Sequence, residues 1–371
     1  MAPYSLAVPA ATGKPEELAA HLAAVVSAGK DERSSKAQAF ADYVKSYGGS
    51  GVSAFADSTK LMDSLKSYLQ GSDKKKGAER ENVLAAVTAM LKTCGAPVEP
   101  FLVQLMPEML VLLADKAGKG VQTAAQDTLV LLVGELSSQA KKMYALPACV
   151  GKLGADQKFQ TQAGALELLL KIATEAPEEI GSCMPELVPE VSALLCDAKA
   201  VVAENAQKAI EAACASIDNT DIQPLVPSLI SALKNPTEVE DCIFKLAATT
   251  FVQEVEANAL AITVPLLKRG FQTRKTPVVR MCARIIENMA KLVERPRDVK
   301  PFMPTLMPAL ERATEEISDP EARTVCGKAV EQLDRANNGV GMAPEPPVAE
   351  LEPTLKAFNE VTKAAQDEVT T

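Results

Sequence analysis

Apolar residues fall along the chain at spacings of three and four, in stretches several helical turns long that are broken by short polar turns, and this is the period of an amphipathic helix. A proline recurs at a fixed place in the pattern. Preceded by Leu, Met or Val and followed by a short apolar run, it stands at Pro107, Pro147, Pro189, Pro227, Pro265 and Pro308, with steps of 40, 42, 38, 38 and 43 residues. In the clearest unit Val98 to Pro107 opens a first helix, and Gly120 to Ala125 opens a second after a polar turn. A proline inside a helix removes a backbone donor and crowds the preceding turn, so these positions read as structural and predict a bend at one level in every first helix.

Taking the phase from the prolines places helix pairs at 99–137, 140–175, 184–215, 222–256, 258–294 and 300–336. Two weaker pairs, at 15–47 and 52–95, lack the proline, as suits terminal repeats whose outer face meets water. Self-similarity at this period marks a HEAT or armadillo array, because one helix pair cannot bury its apolar face alone and must stack on its neighbours. The expected fold is therefore all-α: a HEAT-repeat (armadillo-like), right-handed superhelical solenoid of about eight helix pairs. It should fill residues 1–337, with weaker terminal repeats over 1–95 and regular ones over 96–337. The run from Asn337 to Pro347, rich in glycine and proline, predicts a linker over 338–350. Leu351, Leu355, Phe358 and Val361 predict an isolated amphipathic helix over 351–371.

Composition supports the helical reading and narrows the chemistry. Aromatic residues make up 4% and Trp is absent, so runs of strand-forming residues are missing. Eight cysteines, at 94, 149, 183, 196, 214, 242, 282 and 326, show no close pair of metal-ligand spacing, and most lie in apolar helical contexts. With His21 as the single histidine, neither a zinc set nor a histidine relay can be assembled. No apolar run approaches the roughly 18 to 20 residues that span a bilayer, and the start lacks a basic stretch feeding an apolar core. A cytoplasmic protein without membrane partner is expected.

Nucleotide chemistry has no foothold either. A phosphate-binding loop needs an upstream Gly and then Gly-Lys followed by Ser or Thr. Of the Gly-Lys pairs, Gly13-Lys14, Gly29-Lys30, Gly118-Lys119, Gly151-Lys152 and Gly327-Lys328, none is followed by either residue. Paired carboxylates at Glu178-Glu179 and Glu315-Glu316 read as solvated helix-end charges. No catalytic residue, cofactor, metal or small-molecule substrate is expected.

What remains is charge. The chain carries a net charge of -9, yet Lys268 to Lys300 has an excess of +7. The candidate contacts for RNA phosphate or an acidic protein tail are Lys268, Arg269, Arg274, Lys275, Arg284, Lys291, Arg295, Arg297 and Lys300. For Lys268, Arg269, Arg274 and Lys275, in a turn between helices, a solvated edge is the equal alternative. Arg280, at the start of a second helix, reads as a structural bridge to the next repeat, and Arg323 stands in an equivalent setting. Lys74-Lys75-Lys76 reads as a solvated loop.

Between residues 236 and 294 the chain is more than a generic array. Pro236-Thr237-Glu238-Val239, Ala248 to Val255, Val264 to Gly270 and Glu287 to Glu294 resemble the amino-terminal HEAT domain of fungal-type translation elongation factor three, and the agreement continues through Asp319-Pro320-Glu321-Ala322-Arg323. Thr-Thr-Phe-Val and Val-Pro-Leu-Leu are shared with the related giant scaffold that activates the amino-acid-starvation kinase on ribosomes. The resemblance implies a non-catalytic module that contacts ribosomal proteins of the small subunit and rRNA, with ATP hydrolysis in later ABC domains that lie outside this chain. The chain would then be a portion of a longer factor or an array standing alone. A HEAT subunit bracing another large protein assembly is the second reading.

Overall fold

In the computed structural model, residues 13–71, 73–273 and 275–341 are described, and among them there are helices and turns but no strand. Sixteen principal helices pair into eight successive hairpins among the described residues. They are α1 (Pro15–Val26) with α2 (Arg33–Ser46), α3 (Leu61–Leu69) with α4 (Gly77–Cys94), α5 (Met106–Leu112) with α6 (Lys119–Glu135), and α7 (Leu146–Val150) with α8 (Phe159–Glu175). Then follow α9 (Met184–Leu194) with α10 (Ala200–Cys214), α11 (Val226–Lys234) with α12 (Val239–Ala248), α13 (Ala257–Gln272) with α14 (Thr276–Ala290), and α15 (Met303–Glu316) with α16 (Pro320–Asn337). The expected linker is described only to residue 341, and the expected helix at 351–371 lies outside the described residues.

The second helices are the longer members of most pairs and carry the stacking. In α14, Val278, Val279, Cys282, Ala283, Ile285, Ile286, Met289 and Ala290 are all buried, a stripe wide enough to meet its own first helix and both neighbouring repeats. Helices α2, α4, α6, α8 and α10 stack in sequence, as do α12, α14 and α16. One apolar core runs unbroken from Leu18 to Ala336. Buried thiols belong to it: burial pushes Cys214 and Cys282 up to about 12 and Cys242 up to about 11, so they serve as small apolar side chains.

The six prolines are accommodated in two ways instead of one. Pro189, Pro265 and Pro308 stand inside continuous helices. Pro107, Pro147 and Pro227 are each the second residue of a helix that restarts after an irregular turn, 3-10 at Val103–Leu105, π at Lys141–Ala145 and 3-10 at Gln223–Leu225. There the missing N–H is one that a helix start leaves unpaired anyway. The first helix of the second pair begins at Leu61, nine residues later than the sequence period places it. Gly48, Gly49 and Gly51 with Ser50 take positive φ and break the chain there. At Gly51 a Cβ would also press on Cys94, Val98 and Val44.

The sixth hairpin departs from the regular stack. Its helices are short, and α9 packs directly on α13 past it. Polar stitches hold it instead: the Asp221 carboxylate accepts the backbone N–H of Val252 (2.7 Å) and Gln253 (3.0 Å), and Asn219 Nδ2 donates to the Glu254 carbonyl (2.9 Å). The segment Thr249 to Val252 thus ends a helix and joins two loops.

Candidate nucleic-acid interface

The basic run from Lys268 to Lys300 is spread over a whole hairpin. Lys268 and Arg269 lie near the end of α13, Arg284 within α14, and Lys291 to Lys300 at the opposite edge. A helix of 15 residues such as α14 separates the two edges by about 22 Å. The run is therefore two clusters and not one patch.

Four of the candidate cations already have partners. Arg269 Nη1 donates to the carbonyls of Ala232 (3.1 Å) and Leu233 (2.6 Å), capping the end of α11, where a cation meets the negative end of the helix dipole. Lys275 Nζ pairs with Glu240 at 2.6 Å and Lys291 Nζ with Glu287 at 2.6 Å. Arg295 faces Glu256 at 2.9 Å, Glu254 at 3.2 Å and Asp298 at 3.3 Å. Burial pulls the Arg295 guanidinium down, but these three carboxylates outweigh it and hold it above its ordinary value. Asp298 moves up, because burial outweighs the pull of Arg295 and Arg297. Arg274 lies outside the described residues. Lys268, Arg284, Arg297 and Lys300 are exposed and form no ion pair among the described residues.

Two grooves take in Lys268 and Arg297, one each. One, about 840 Å³, lies between α13 and α15 and is lined by Lys268, Phe271, Gln272, Arg312 and Glu316 among others. Arg312 is exposed and joins Lys268 from the next repeat; it falls beyond the end of the basic run, and only its distance of about one period from Lys268 could have suggested it. The second groove, about 770 Å³, holds Arg295, Arg297 and Lys142 but also Glu178, Glu186, Asp218, Glu256 and Asp298. Its mixed sign weakens any field on an anion. Of the two, the Lys268–Arg312 groove has the less mixed charge.

The bridging arginines differ from one another. Arg280 Nη1 lies 3.1 Å from Glu321 Oε1 in the next hairpin. Arg323 is exposed, with no ion pair among the described residues, and lies in the last hairpin among them. The most deeply buried bridge was missed in the sequence: Arg80 Nε lies 3.0 Å from Asp115 Oδ2, with side-chain exposures of 1% and 3%. Arg80 Nη2 also donates to Asp115 Oδ1 (3.1 Å) and the Asp73 carbonyl (2.9 Å). Among the described residues no helix is long and apolar enough to cross a membrane.

Comparison with known proteins agrees with this architecture. The family model "EF3 N-terminal HEAT repeat" matches residues 33–210, and "Elongation factor 3/GNC1 HEAT repeat" matches residues 237–343. Elongation factor 3 of Gonapodya prolifera is 36% identical over 331 residues, covering 88% of this chain and 30% of that protein. Elongation factor 3 of Candida glabrata is 38% identical over 269 residues, covering 72% and 26%. Elongation factor 3A of Saccharomyces cerevisiae is 36% identical over 295 residues, covering 78% and 28%. The chain spans less than a third of the length of these relatives. Among solved structures, karyopherin Kap121p bound to the extreme C-terminus of Cdc14p overlays 87% of this chain and 36% of its own at 15% identity, with a TM-score of 0.39.

Proposed function

The chain belongs to the elongation factor 3 family as a HEAT-repeat region, and from that premise we propose that it is a non-catalytic ribosome-binding module acting in the cytoplasm during translation elongation. The match of two elongation factor 3 HEAT models along the array carries this reading. Small-subunit ribosomal proteins and rRNA are the partners, and any ATP hydrolysis belongs to other parts of a longer factor.

The anion-facing part of the interface is the groove between α13 and α15. Lys268 and Arg312 line it from neighbouring repeats, and Glu316 is its one carboxylate. Arg269 and Lys275 hold the surrounding framework through their partners and leave Lys268 and Arg312 to meet phosphate. Exposed cations that displace counterions from RNA lose affinity steeply with salt. Co-sedimentation of the chain with purified ribosomes over a range of salt tests the reading. Binding that weakens with salt is expected, and a chain that stays in the supernatant at every salt concentration would refute it.

A further inference from the structure

A second basic surface lies at the other end of the array. The turns inside the second, third and fourth hairpins carry Lys74, Lys75, Lys76, Lys116, Lys119, Lys152 and Lys158. Direct contacts bring these turns together. A Cβ on Gly77 would meet Ala117 Cβ at 2.7 Å, Arg80 ties Asp73 to Asp115, and Lys158 Nζ donates to the Ala114 carbonyl at 3.0 Å. None of the seven lysines is in an ion pair among the described residues, in contrast to Lys275, Lys291 and Arg295 of the carboxy-terminal run. The turns also carry three acids: Asp115 is paired with Arg80, Asp73 accepts the Lys75 backbone N–H (3.0 Å) and Asp156 accepts from Gln157 Nε2 (2.7 Å).

These turns enclose a groove of about 390 Å³ lined by apolar Leu69, Pro107 and Val111 and by Lys116, Lys152 and Lys158. Val111 is 55% exposed there and offers an apolar surface on the groove wall. Glu108 also lines the groove, but its Oε1 accepts from Gln70 Nε2 (3.1 Å) and its Oε2 is sealed from solvent. An apolar wall beside three ammonium groups that have no ion pair among the described residues matches a chain that offers both an apolar anchor and carboxylates. A nucleic acid backbone would use the lysines and leave the apolar wall unfilled.

We propose that this groove binds an acidic peptide segment of a partner protein, seating one or two apolar side chains against Pro107 and Val111 while flanking carboxylates meet Lys116, Lys152 and Lys158. The site is separate from the Lys268–Arg312 groove and does not depend on the ribosome reading.

Fluorescence anisotropy of the whole chain tests it, with a labelled probe peptide bearing three aspartates on each side of a Leu-Phe pair. A control peptide has Ser-Ser in place of the pair, and a short RNA duplex serves as competitor. The Leu-Phe peptide should bind at least about tenfold more tightly than the Ser-Ser peptide, a difference of about 1.4 kcal/mol. Val111→Asp and Lys116→Glu/Lys152→Glu should each weaken it by a similar factor. Lys268→Glu should leave it unchanged, and unaltered melting curves should show that the variants are folded. Absence of binding, equal binding of the two peptides, or displacement by an RNA duplex whose own binding ignores Val111→Asp would each overturn the proposal, the last in favour of a nucleic-acid surface.

Discussion

Cutting the Arg80–Asp115 pair should unlatch the amino-terminal half of the array without disturbing the rest. The side chains are 1% and 3% exposed, so neither charge can fall back on water when its partner goes. Removing one member of a buried pair typically costs about 3–5 kcal/mol. We expect that loss for Arg80→Met, which strands the Asp115 carboxylate with the Ala117 N–H (2.6 Å). The reciprocal Asp115→Leu strands the guanidinium with one carbonyl and should cost as much. The double variant replaces both charges by apolar side chains and loses the hydrogen bonds to the Ala117 N–H and the Asp73 carbonyl, each worth about 0.5–1.5 kcal/mol. It should therefore be no less stable than either single variant. Because repeat arrays open in parts, hydrogen exchange is the suitable assay. At about 1.4 kcal/mol per factor of ten, single variants should raise opening of α4 and α6 by roughly two to three and a half powers of ten, with α14 and α16 unchanged. Single-variant costs under about 1 kcal/mol, or costs that simply add in the double variant, would refute the reasoning.

Three smaller perturbations have equally definite outcomes. Burial pushes the Glu175 carboxyl up, but hydrogen bonds from Lys171 and Lys141 outweigh it and hold it below the usual carboxylate range. Its stabilisation is thus full above the unfolded carboxylate pKa and is lost as pH falls through the folded value. Glu175→Gln should cost about 0.5–1 kcal/mol at neutral pH, with the gap in Tm closing as pH falls through the folded value; a gap that persists in acid would contradict this. Gly270→Ala sets a Cβ against Cys282 and Ile243, where α12, α13 and α14 meet, and should destabilise by about 1–3 kcal/mol in chemical denaturation. Arg280→Ala should lose about 0.5–1.5 kcal/mol through lost packing and its pair with Glu321, whereas Arg323→Ala should stay within about 0.5 kcal/mol; equal losses would show that the two positions are equivalent after all.

The fold was legible because the prolines set a phase and the apolar spacing set the helix type. The positions where it was less legible have local causes: the glycine turn at Gly48–Gly51 delays α3, and the short sixth hairpin relies on Asp221 and Asn219 for contacts that no periodicity announces. The candidate site was legible as composition only. Counting charges along Lys268 to Lys300 shows the cations but not most of their partners, because all but Glu287 and Asp298 stand about one repeat away. Arg269 reaches Leu233 across 36 residues, Arg295 reaches Glu256 across 39, and Arg80 reaches Asp115 across 35. Thr88 and Thr128, 40 residues apart, meet in the same way. Laying the sequence against itself at its own period would have exposed these pairs and, by the same step, brought Arg312 near Lys268 and Lys116 near Lys74 to Lys76.

The central claim is that this array binds ribosomes through cations the fold leaves unpaired, and co-sedimentation of Lys268→Ala/Arg312→Ala with purified ribosomes tests it most directly. Both side chains are exposed on one groove, so the variant should melt like the parent. Each lost phosphate contact lowers the slope of log affinity against log salt by about one, so the account predicts weaker binding at low salt and a slope shallower by about two. A variant that sediments like the parent at every salt concentration would contradict the account.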